Sequence, residues 1–370
     1  MSTSAPSAVR PVFTGLGVLS AFGRGLAPLA AATARARTGF TEVTRFDVSR
    51  RGTRRAALLP DPPPLARAVL GALADACHQS GLPVGPGDTP LLLALHSDLR
   101  TGEVAEAVRR GSAALGLPGV TRVYTGACVA AATAVADAAA LVASGRHPRV
   151  VVAAGHLVEP GVFAAFDAGR ALARDGELRP FSSGRTGTLL GDAAAAVVIE
   201  ADAAAARRGR RPLARLAGWG RSGDAHHVCR PHPDGEGVAR ATRAALARAG
   251  VAPAEVGYVN ANGTGSPMSD LAEARALREV FGDALEGLPV SSSKSVHGHA
   301  LEASALLELV VTIAALDSEE LPVNAGWLGP DPEIGLNLVL AGAGGNHPRY
   351  ALSLNSAFGG ANTALLVAAA

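Results

Sequence analysis

Residues 121–156 read TRVYTGACVAAATAVADAAALVASGRHPRVVVAAGH. A short β-branched run at 121–127 leads into an alanine-rich stretch from Cys128 to about Ser144, which Gly145 stops. An apolar run at 148–156 follows. These lengths and periods predict a strand, a helix and a second strand. Continuous apolar strands separated by helices predict a sheet that is covered on both faces.

The same alternation runs along the whole chain and repeats in its second half. Further strands are predicted at 91–97, 191–200, 211–221, 289–295, 337–342 (NLVLAG) and 350–369, and a strand followed by a turn is predicted at 256–265. We therefore predict one βαβ-rich plan used twice, with a join near residues 201–212. The predicted domains are 1–205 and 206–370.

Composition excludes several classes of protein. The 370 residues are 48% hydrophobic and 18% charged, which predicts an ample core and little disorder. A net charge of +2 gives no argument for a nucleic-acid partner. The N-terminal MSTSAPSAVRP has no signal-peptide pattern and no stretch reads as a membrane span, so we expect a cytoplasmic protein. Three scattered cysteines predict neither a disulfide framework nor a metal site.

Cys128 is the first candidate catalytic residue, because it lies at a strand-to-helix turn. Unpaired N–H groups and the positive end of the helix dipole there predict a lowered thiol pKa and a thiolate. The alternative is a small buried cysteine, which is the commoner fate of this residue. Cys77 fits that alternative. Cys229 lies in HHVCRPH, which we interpret as a polar loop because its spacing matches no standard zinc site.

A second candidate group lies in SSSKSVHGHALEASALLE at 291–308. Lys294 is the only lysine in a chain rich in arginine, and it precedes His299 at a predicted strand end. Such ends face the active crevice of α/β proteins. Glu308, nine residues after His299 on a helix, is a candidate to orient this network. A chance surface lysine is the alternative.

Two turns complete the candidate set. VNANGTGSPMSD at 259–270 places Asn262 in a Gly/Thr/Ser turn before a helix, at a position suited to a polar side chain in a site. Gly359 and Gly360, beside Phe358, allow a close backbone approach, and their N–H groups could line an oxyanion hole. An ordinary glycine turn is the alternative.

Taken together, six segments in order resemble the β-ketoacyl synthases, thiolase-fold condensing enzymes of fatty acid and polyketide synthesis. The segments begin with VFTGLGVLSAFG and continue with TGACVAA, RPFSSGRTGTLLGDAAAAVVIE, VNANGTGSPMSD, SSSKSVHGHALEASALLE and NSAFGGANTALLV. The resemblance implies an α/β thiolase-like fold, with duplicated βαβαβαββ halves in a five-layer α/β/α/β/α arrangement.

The resemblance also implies residue roles. Cys128 would accept the acyl group, and the N–H groups of Cys128 and Phe358 would form the oxyanion hole. Phe358 would gate the pocket. Contacts with the substrate would come from Thr264, Ser266, Gly359 and Gly360, the first two to a phosphopantetheine arm. The polar network around the nucleophile would consist of Asn262, Lys294, His299 and Glu308.

No cofactor is expected other than the phosphopantetheine of an acyl carrier protein or of coenzyme A, which carries the substrate. The expected partners are an acyl carrier protein and a second subunit, in a homodimer or in a heterodimer with a related ketosynthase-like chain.

Departures from the family pattern leave the reaction open. Asn262 stands where the decarboxylating condensers carry histidine, giving a Cys–Asn–His set, and an amide cannot carry charge or shuttle a proton. Glu302 and Ala305 replace small residues after the Lys–His motif.

Three functions are therefore possible. The chain could be a synthase that condenses an acyl-Cys128 with a malonyl thioester. It could instead be a non-decarboxylating acyltransferase that uses Cys128 and His299. It could also be a non-catalytic subunit like a chain-length factor, although such subunits usually lack the cysteine.

Overall fold

The computed structural model describes residues 9–82, 88–318, 320–341 and 347–370. Its strands are β1 (Pro11–Ser20), β2 (Gly23–Arg24), β3 (Phe40–Glu42), β4 (Arg55–Ala57), β5 (Leu91–Ala94), β6 (Val120–Tyr124), β7 (Arg149–His156), β8 (Ala193–Ala201), β9 (Ala214–Gly223), β10 (Tyr258–Asn260), β11 (Val290–Ser291), β12 (Tyr350–Ser356) and β13 (Ala361–Ala369).

The helices alternate with these strands, as the sequence predicts. They are α1 (Leu26–Ala34), α2 (Leu65–Ser80), α3 (Thr101–Ser112), α4 (Ala130–Ala143), α5 (Pro160–Ala168), α6 (Asp202–Arg207), α7 (Glu236–Ala249), α8 (Pro267–Phe281), α9 (Lys294–His297) and α10 (Ser304–Asp317). No helix in the described ranges is long and apolar enough to cross a membrane.

The sheet order confirms the predicted duplication. One half runs β1-β8-β7-β5-β6 and the other runs β9-β13-β12-β10-β11, which is the same order when each half is numbered from its own first strand. The strand directions agree as well. In each half the last two strands of the chain pair antiparallel (β7 with β8, β12 with β13), and β5 and β10 each pair parallel with both of their neighbours. Each half therefore follows the βαβαβαββ plan.

Five layers result from how the helices pack on these halves. Helices α4 and α10 are mostly buried and mostly apolar, and each contacts strands of both halves. A helix of that kind belongs in an interior layer. Helices α2 and α3 cover the outer face of the first half, and α7 and α8 cover the outer face of the second. The predicted α/β/α/β/α thiolase-like arrangement is confirmed.

A Gly-x-Gly pair in the first strand of each half lets an outer helix approach closely. A Cβ added at Gly17 of β1 would lie 1.9 Å from the carbonyl oxygen of Ala72 in α2. One at Gly220 of β9 would lie 1.9 Å from that of Ala241 in α7. Real Cβ atoms do not tolerate such contacts, so the two halves share one packing constraint.

Two sequence predictions are corrected at the edge of the second half. The strand predicted at 289–295 is only Val290–Ser291, because side-chain amides take the next two backbone N–H groups: Asn324 accepts from Ser292, and Asn260 accepts from Ser293.

In place of the strand predicted at 337–342, the structure has a single β-bridge between Leu338 and Val290. The neighbouring strand β11 has only two residues, so it cannot form a longer run of paired residues with this segment. Gly342 of this segment and residues 1–8 lie outside the described ranges. The division into 1–205 and 206–370 stays a prediction; its boundary falls within α6.

Replacing Gly17 or Gly220 by alanine tests whether a close approach of the outer helix requires glycine in the first strand of each half. We expect Gly17→Ala and Gly220→Ala each to lower the free energy of unfolding by about 3 kcal/mol, because the added methyl group overpacks a helix backbone. Gly71→Ala on α2 is the control, since nothing lies within 4 Å of its added Cβ. It should stabilise by about 1 kcal/mol through helix propensity. Urea unfolding measures all three, and equal effects at Gly17 and Gly71 would refute the constraint.

Candidate active site

Cys128 lies in a short 3-10 turn, Ala127–Val129, between β6 and α4. Ala127 adopts a left-handed conformation with φ 51°, which turns the chain sharply before the helix. The Cys128 side chain is 7% exposed and belongs to an apolar cluster with Val158, Phe163 and Leu301. Its small exposed part lies on the wall of a cavity of about 450 Å³.

The cavity collects most of the predicted residues from both halves of the chain. Its lining includes Cys128, Phe166, Arg170, Asn262, Thr264, Ser266, Met268, His299 and Phe358. Thr264, Ser266 and Phe358 lie on the cavity wall, and the Phe358 ring is 56% exposed and 6.0 Å from the Phe166 ring. Thr264, Ser266 and Phe358 therefore share one cavity with Cys128.

His299 directly contacts the sulfur. Its Nε2 lies 3.0 Å from Cys128 Sγ, and its Nδ1 lies 2.8 Å from Ser304 Oγ. The preceding Gly298 has φ 74°, and a Cβ there would lie 2.7 Å from the Leu190 carbonyl oxygen. The close passage of the chain at Gly298 places the imidazole over the cysteine.

The hydrogen bonds of Ser304 indicate which imidazole nitrogen faces the thiol as an acceptor. Ser304 Oγ accepts the backbone N–H of Ala300 over 2.8 Å and lies 2.8 Å from His299 Nδ1. Ser304 Oγ then accepts from Nδ1–H of His299, and Nε2 remains an acceptor for the Cys128 S–H.

The expectation of a thiolate is wrong. Burial raises the pKa of the Cys128 thiol to about 12, and the Glu302 carboxylate adds to the rise, while the charge of Lys294 opposes it. Burial also lowers the pKa of His299 well below its ordinary value, and Lys294 acts in the same direction. Desolvation therefore outweighs the effect of the helix N-terminus, and the resting pair is a neutral thiol and a neutral imidazole.

Asn262 presents a fixed hydrogen-bond donor to the cavity. Lys294 Nζ donates to Asn262 Oδ1 over 3.2 Å, and a lysine can only donate, so the amide oxygen must face it. Asn262 Nδ2 makes no hydrogen bond within the described ranges. Because Asn262 lines the cavity beside His299, its NH₂ group is free to donate to a substrate oxygen there.

Lys294 and Glu308 form a buried ion pair behind this wall. Both side chains are fully buried, and Lys294 Nζ lies 2.8 Å from Glu308 Oε1. Burial raises the pKa of Glu308, and the charge of Lys294 opposes that rise. Asn355 Nδ2 also donates to Glu308, over 2.7 Å. The pair does not line the cavity, so these two predicted residues act on it through Asn262.

Two carboxyl groups that the sequence analysis missed hold the Asn262 loop. Glu273 accepts the N–H groups of Asn262 and Gly263, and Asp270 accepts those of Thr264 and Gly265. Burial raises the pKa of Asp270 to about 6 and that of Glu273 to about 7. The sequence feature that could have indicated this role is Asp270, the acidic residue in the first turn of α8, which comes directly after the Gly/Thr/Ser turn.

The glycine pair of the closing loop joins two neighbouring loops. Gly359 and Gly360 have φ 86° and 76° and do not line the cavity. Gly359 N–H donates to the Val228 carbonyl over 2.8 Å, so the pair ties the Phe358 loop to the neighbouring loop. Their contact with substrate stays a prediction.

That neighbouring loop contains HHVCRPH. Cys229 there is exposed and lies 3.6 Å from His227 Nδ1. In the ranges the structure describes, no group of three or more potential ligands could hold a metal ion.

Comparisons with known proteins agree with this geometry. Profiles of the β-ketoacyl synthase N-terminal and C-terminal domains match residues 107–205 and 213–327. The 3-oxoacyl-[acyl-carrier-protein] synthase 2 of Staphylococcus aureus is 33% identical over 288 residues, 76% of this chain and 69% of that protein. Nodulation protein E of Rhizobium meliloti is 38% identical over 257 residues, 69% of this chain and 63% of that protein.

The ishigamide ketosynthase/chain length factor is a similar solved structure, with a TM-score of 0.89 and 28% identity. It covers 98% of this chain and 100% of that one. The fold and the comparisons together place the chain among the thiolase-like ketosynthases. It belongs to the β-ketoacyl synthase family and is an enzyme of the acyltransferase class, of fatty acid and polyketide type.

The raised thiol pKa predicts how Cys128 reacts with pH. In the Cys229→Ala protein, we expect the rate of Cys128 alkylation by iodoacetamide to rise about tenfold per pH unit from pH 7 to 9, because thiolate is the reactive form. Mass spectrometry of the Cys128 peptide gives the rate. A plateau below pH 8 would show a resting thiolate and contradict the neutral pair.

The hydrogen bonds from the Asn262 loop to Glu273 predict that loss of this carboxylate destabilises the protein. We expect Glu273→Gln to lower the free energy of unfolding by about 1–3 kcal/mol, because one buried N–H then faces an NH₂ group. Glu279→Gln, an exposed position of the same helix, should change it by less than about 0.5 kcal/mol. Urea unfolding compares the two variants, and equal values would contradict the role of Glu273.

Proposed function

We propose that the chain forms an acyl-Cys128 intermediate and condenses it with a malonyl thioester, using an atypical Cys–Asn–His site. One observation carries the proposal: His299 Nε2 contacts the Cys128 sulfur at 3.0 Å while Lys294 directs the Asn262 amide donor into the same cavity. Nucleophile, base and a second hydrogen-bond donor therefore meet at one place.

The first half-reaction loads the cysteine. His299 Nε2 takes the thiol proton as Cys128 Sγ attacks the acyl thioester, and the same proton passes to the leaving thiol of the arm. Because the resting thiol and imidazole are both neutral, the thiolate–imidazolium ion pair exists only during the attack. A buried site stabilises this charge best when the hydrogen-bond donors are already in place. The backbone N–H groups of Cys128 and Phe358 are the proposed donors to the carbonyl oxygen.

The second half-reaction uses the freed His299 and Asn262. When the malonyl thioester binds, His299 Nε2 takes up one proton from water. The malonyl group then loses CO₂, and its developing enolate oxygen accepts hydrogen bonds from Asn262 Nδ2 and from the new Nε2–H of His299. The enolate carbon then attacks the acyl carbonyl on Cys128, the carbon–sulfur bond breaks, and the departing sulfur takes the proton from His299 Nε2, which restores the neutral pair. Asn262 supplies a dipole where the family's condensers supply a second imidazole, so this step rests on a neutral donor.

The substrates are proposed to arrive on phosphopantetheine, from an acyl carrier protein or coenzyme A, with no other cofactor. Thr264 and Ser266 lie on the cavity wall, which supports their proposed contact with the arm. The Staphylococcus aureus relative carries the acyl carrier protein in its name, which favours that carrier as the partner. A homodimer or a heterodimer with a related subunit is the proposed assembly.

A non-decarboxylating acyltransferase is the second candidate, and the neutral Asn262 favours it. Without a second imidazole, the site retains what acyl transfer requires: thiol, base and oxyanion donors. His299 would then deprotonate an amine, alcohol or thiol acceptor. A non-catalytic role like that of a chain length factor would leave the close Cys128–His299 contact without a use.

Loading followed by malonyl carrier protein separates these functions. We expect a mass-tagged acyl group on Cys128, absent in Cys128→Ala, and then release of CO₂ with a β-ketoacyl product. An adduct that is transferred to an added nucleophile without CO₂ would refute condensation. An unlabelled Cys128 would refute both enzymatic functions and support the accessory subunit.

Asn262→His tests the atypical residue itself. If Asn262 supports decarboxylation at a cost, the histidine variant should release CO₂ faster, by as much as about 100-fold, because a second imidazole adds charge stabilisation. Loading of Cys128 is the internal control and should stay within about twofold. Condensation found only in the variant would show that the native chain performs another reaction.

A further inference from the structure

One buried imidazole beside the active site has no part in the proposed mechanism. His297 is the last residue of α9, one turn after Lys294 and two residues before His299. Its side chain is fully buried and does not line the cavity that holds Cys128, so it does not contact a substrate there. Burial lowers the pKa of His297 to about 3, so the imidazole is uncharged in neutral solution.

The two ring nitrogens of His297 have different partners, and these fix its tautomer. Nδ1 lies 2.8 Å from the carbonyl oxygen of Gly298. A carbonyl oxygen can only accept, so Nδ1 carries the proton and donates the hydrogen bond. Nε2 of the neutral ring is then an acceptor, and it lies 3.1 Å from the hydroxyl oxygen of Ser293.

Ser293 is itself held by strand β10. Its hydroxyl oxygen lies 3.1 Å from Nδ2 and 3.2 Å from Oδ1 of Asn260, and Oδ1 also accepts the Ser293 backbone N–H over 3.2 Å. Asn260 Nδ2 further donates to the carbonyl oxygen of Glu308 in α10 over 3.1 Å. The imidazole of His297 is therefore held from behind by β10 and α10 while its Nδ1–H points to Gly298.

The bond from His297 holds a peptide group that glycine leaves free to turn. Gly298 has φ 74° and ψ 174°, a conformation that is nearly exclusive to glycine. Among the hydrogen bonds of the described residues, no other donor reaches the Gly298 carbonyl. The N–H of the same peptide group, which belongs to His299, donates to the Leu189 carbonyl over 2.7 Å. The peptide group is thus fixed at both of its polar atoms.

The orientation of this peptide group decides where the His299 imidazole lies, because the side chain branches from the next backbone atom. His299 Nε2 lies 3.0 Å from Cys128 Sγ. A displacement of about 1 Å in a catalytic group can cost about 100-fold in rate. A side chain that fixes the Gly298 carbonyl therefore acts on the reaction without touching the substrate.

We propose that His297 is a positioning residue, whose imidazole holds the Gly298 carbonyl and thereby keeps His299 at the Cys128 sulfur. This inference rests on the proposed function, because it takes His299 as the base that accepts the thiol proton.

Two substitutions separate the hydrogen-bond donor of His297 from the bulk of its ring. His297→Phe keeps a planar ring and removes the donor to Gly298. His297→Asn restores a donor, because its amide nitrogen is as many bonds from Cβ as Nδ1 is. Acylation of Cys128 by hexanoyl coenzyme A is followed by peptide mass in Cys229→Ala protein, over a range of thioester concentrations.

We expect His297→Phe to lower the maximal rate of acylation by about 10- to 100-fold. The half-saturating concentration should stay within about twofold, because His297 does not line the cavity. His297→Asn should recover the maximal rate to within about threefold of the unmodified protein. His78→Phe, at an exposed position of α2, is the matched control and should leave the rate unchanged.

The His299→Ala background distinguishes positioning from a general loss of structure. If His297 acts through His299, adding His297→Phe to His299→Ala should change the remaining rate by less than about twofold. A variant that is only misfolded would lose the same factor in both backgrounds.

The tautomer of His297 gives a measurement that depends neither on the folding of His297→Phe nor on acylation. Nitrogen NMR of isotope-labelled histidine in the full chain reads it directly, and the signals that disappear in His297→Asn identify the residue. We expect the Nδ1–H form.

An Nε2–H tautomer, an unchanged rate in His297→Phe, a His297→Asn protein as slow as His297→Phe, or an equal loss in both backgrounds overturns the positioning role. Each of these results leaves the proposed function standing. A Cys128 that no thioester acylates overturns both.

Discussion

The contact between Lys294 and Asn262 is the constraint on which the site depends. A buried ammonium group can only donate, so it fixes which end of the neighbouring amide faces it. The oxygen of Asn262 is thereby used inside the protein, and its NH₂ group remains for the cavity. Glu308 neutralises the lysine from the other side, which lets the charge stay buried at all. An arginine, with a larger planar fork, would not fit the same place.

The duplicated fold explains why these groups meet. Cys128 comes from the first half, while Asn262, Lys294 and His299 come from the second. Helices α4 and α10 lie between the two half-sheets, and the turns at their N-terminal ends carry Cys128 and Glu302. Both helices pack against strands of both halves, and the two turns contact each other. Burial in this layer also keeps the thiol and the imidazole neutral at rest.

Much of this arrangement is predictable from the sequence. The features that are not predictable depend on contacts between residues far apart in the chain. The spacing of apolar residues and the glycines that end helices locate the long helices and strands, because these elements depend on residues that are close together in the chain. The thiol pKa of Cys128 was predicted with the wrong sign, since burial depends on the whole fold. The orientation of the Asn262 amide depends on a lysine 32 residues away. The roles of Asp270 and Glu273 depend on how helix α8 folds back on the loop that precedes it.

The central claim is that a neutral amide donor, oriented by Lys294, stabilises the developing enolate. The most direct measurement is the rate of CO₂ release from malonyl carrier protein by Asn262→Asp, which keeps the shape of the side chain but removes its donor. We predict a loss of about 100-fold or more, with Cys128 acylation within about threefold of the unmodified protein. An aspartate variant that releases CO₂ at the unmodified rate would contradict the account.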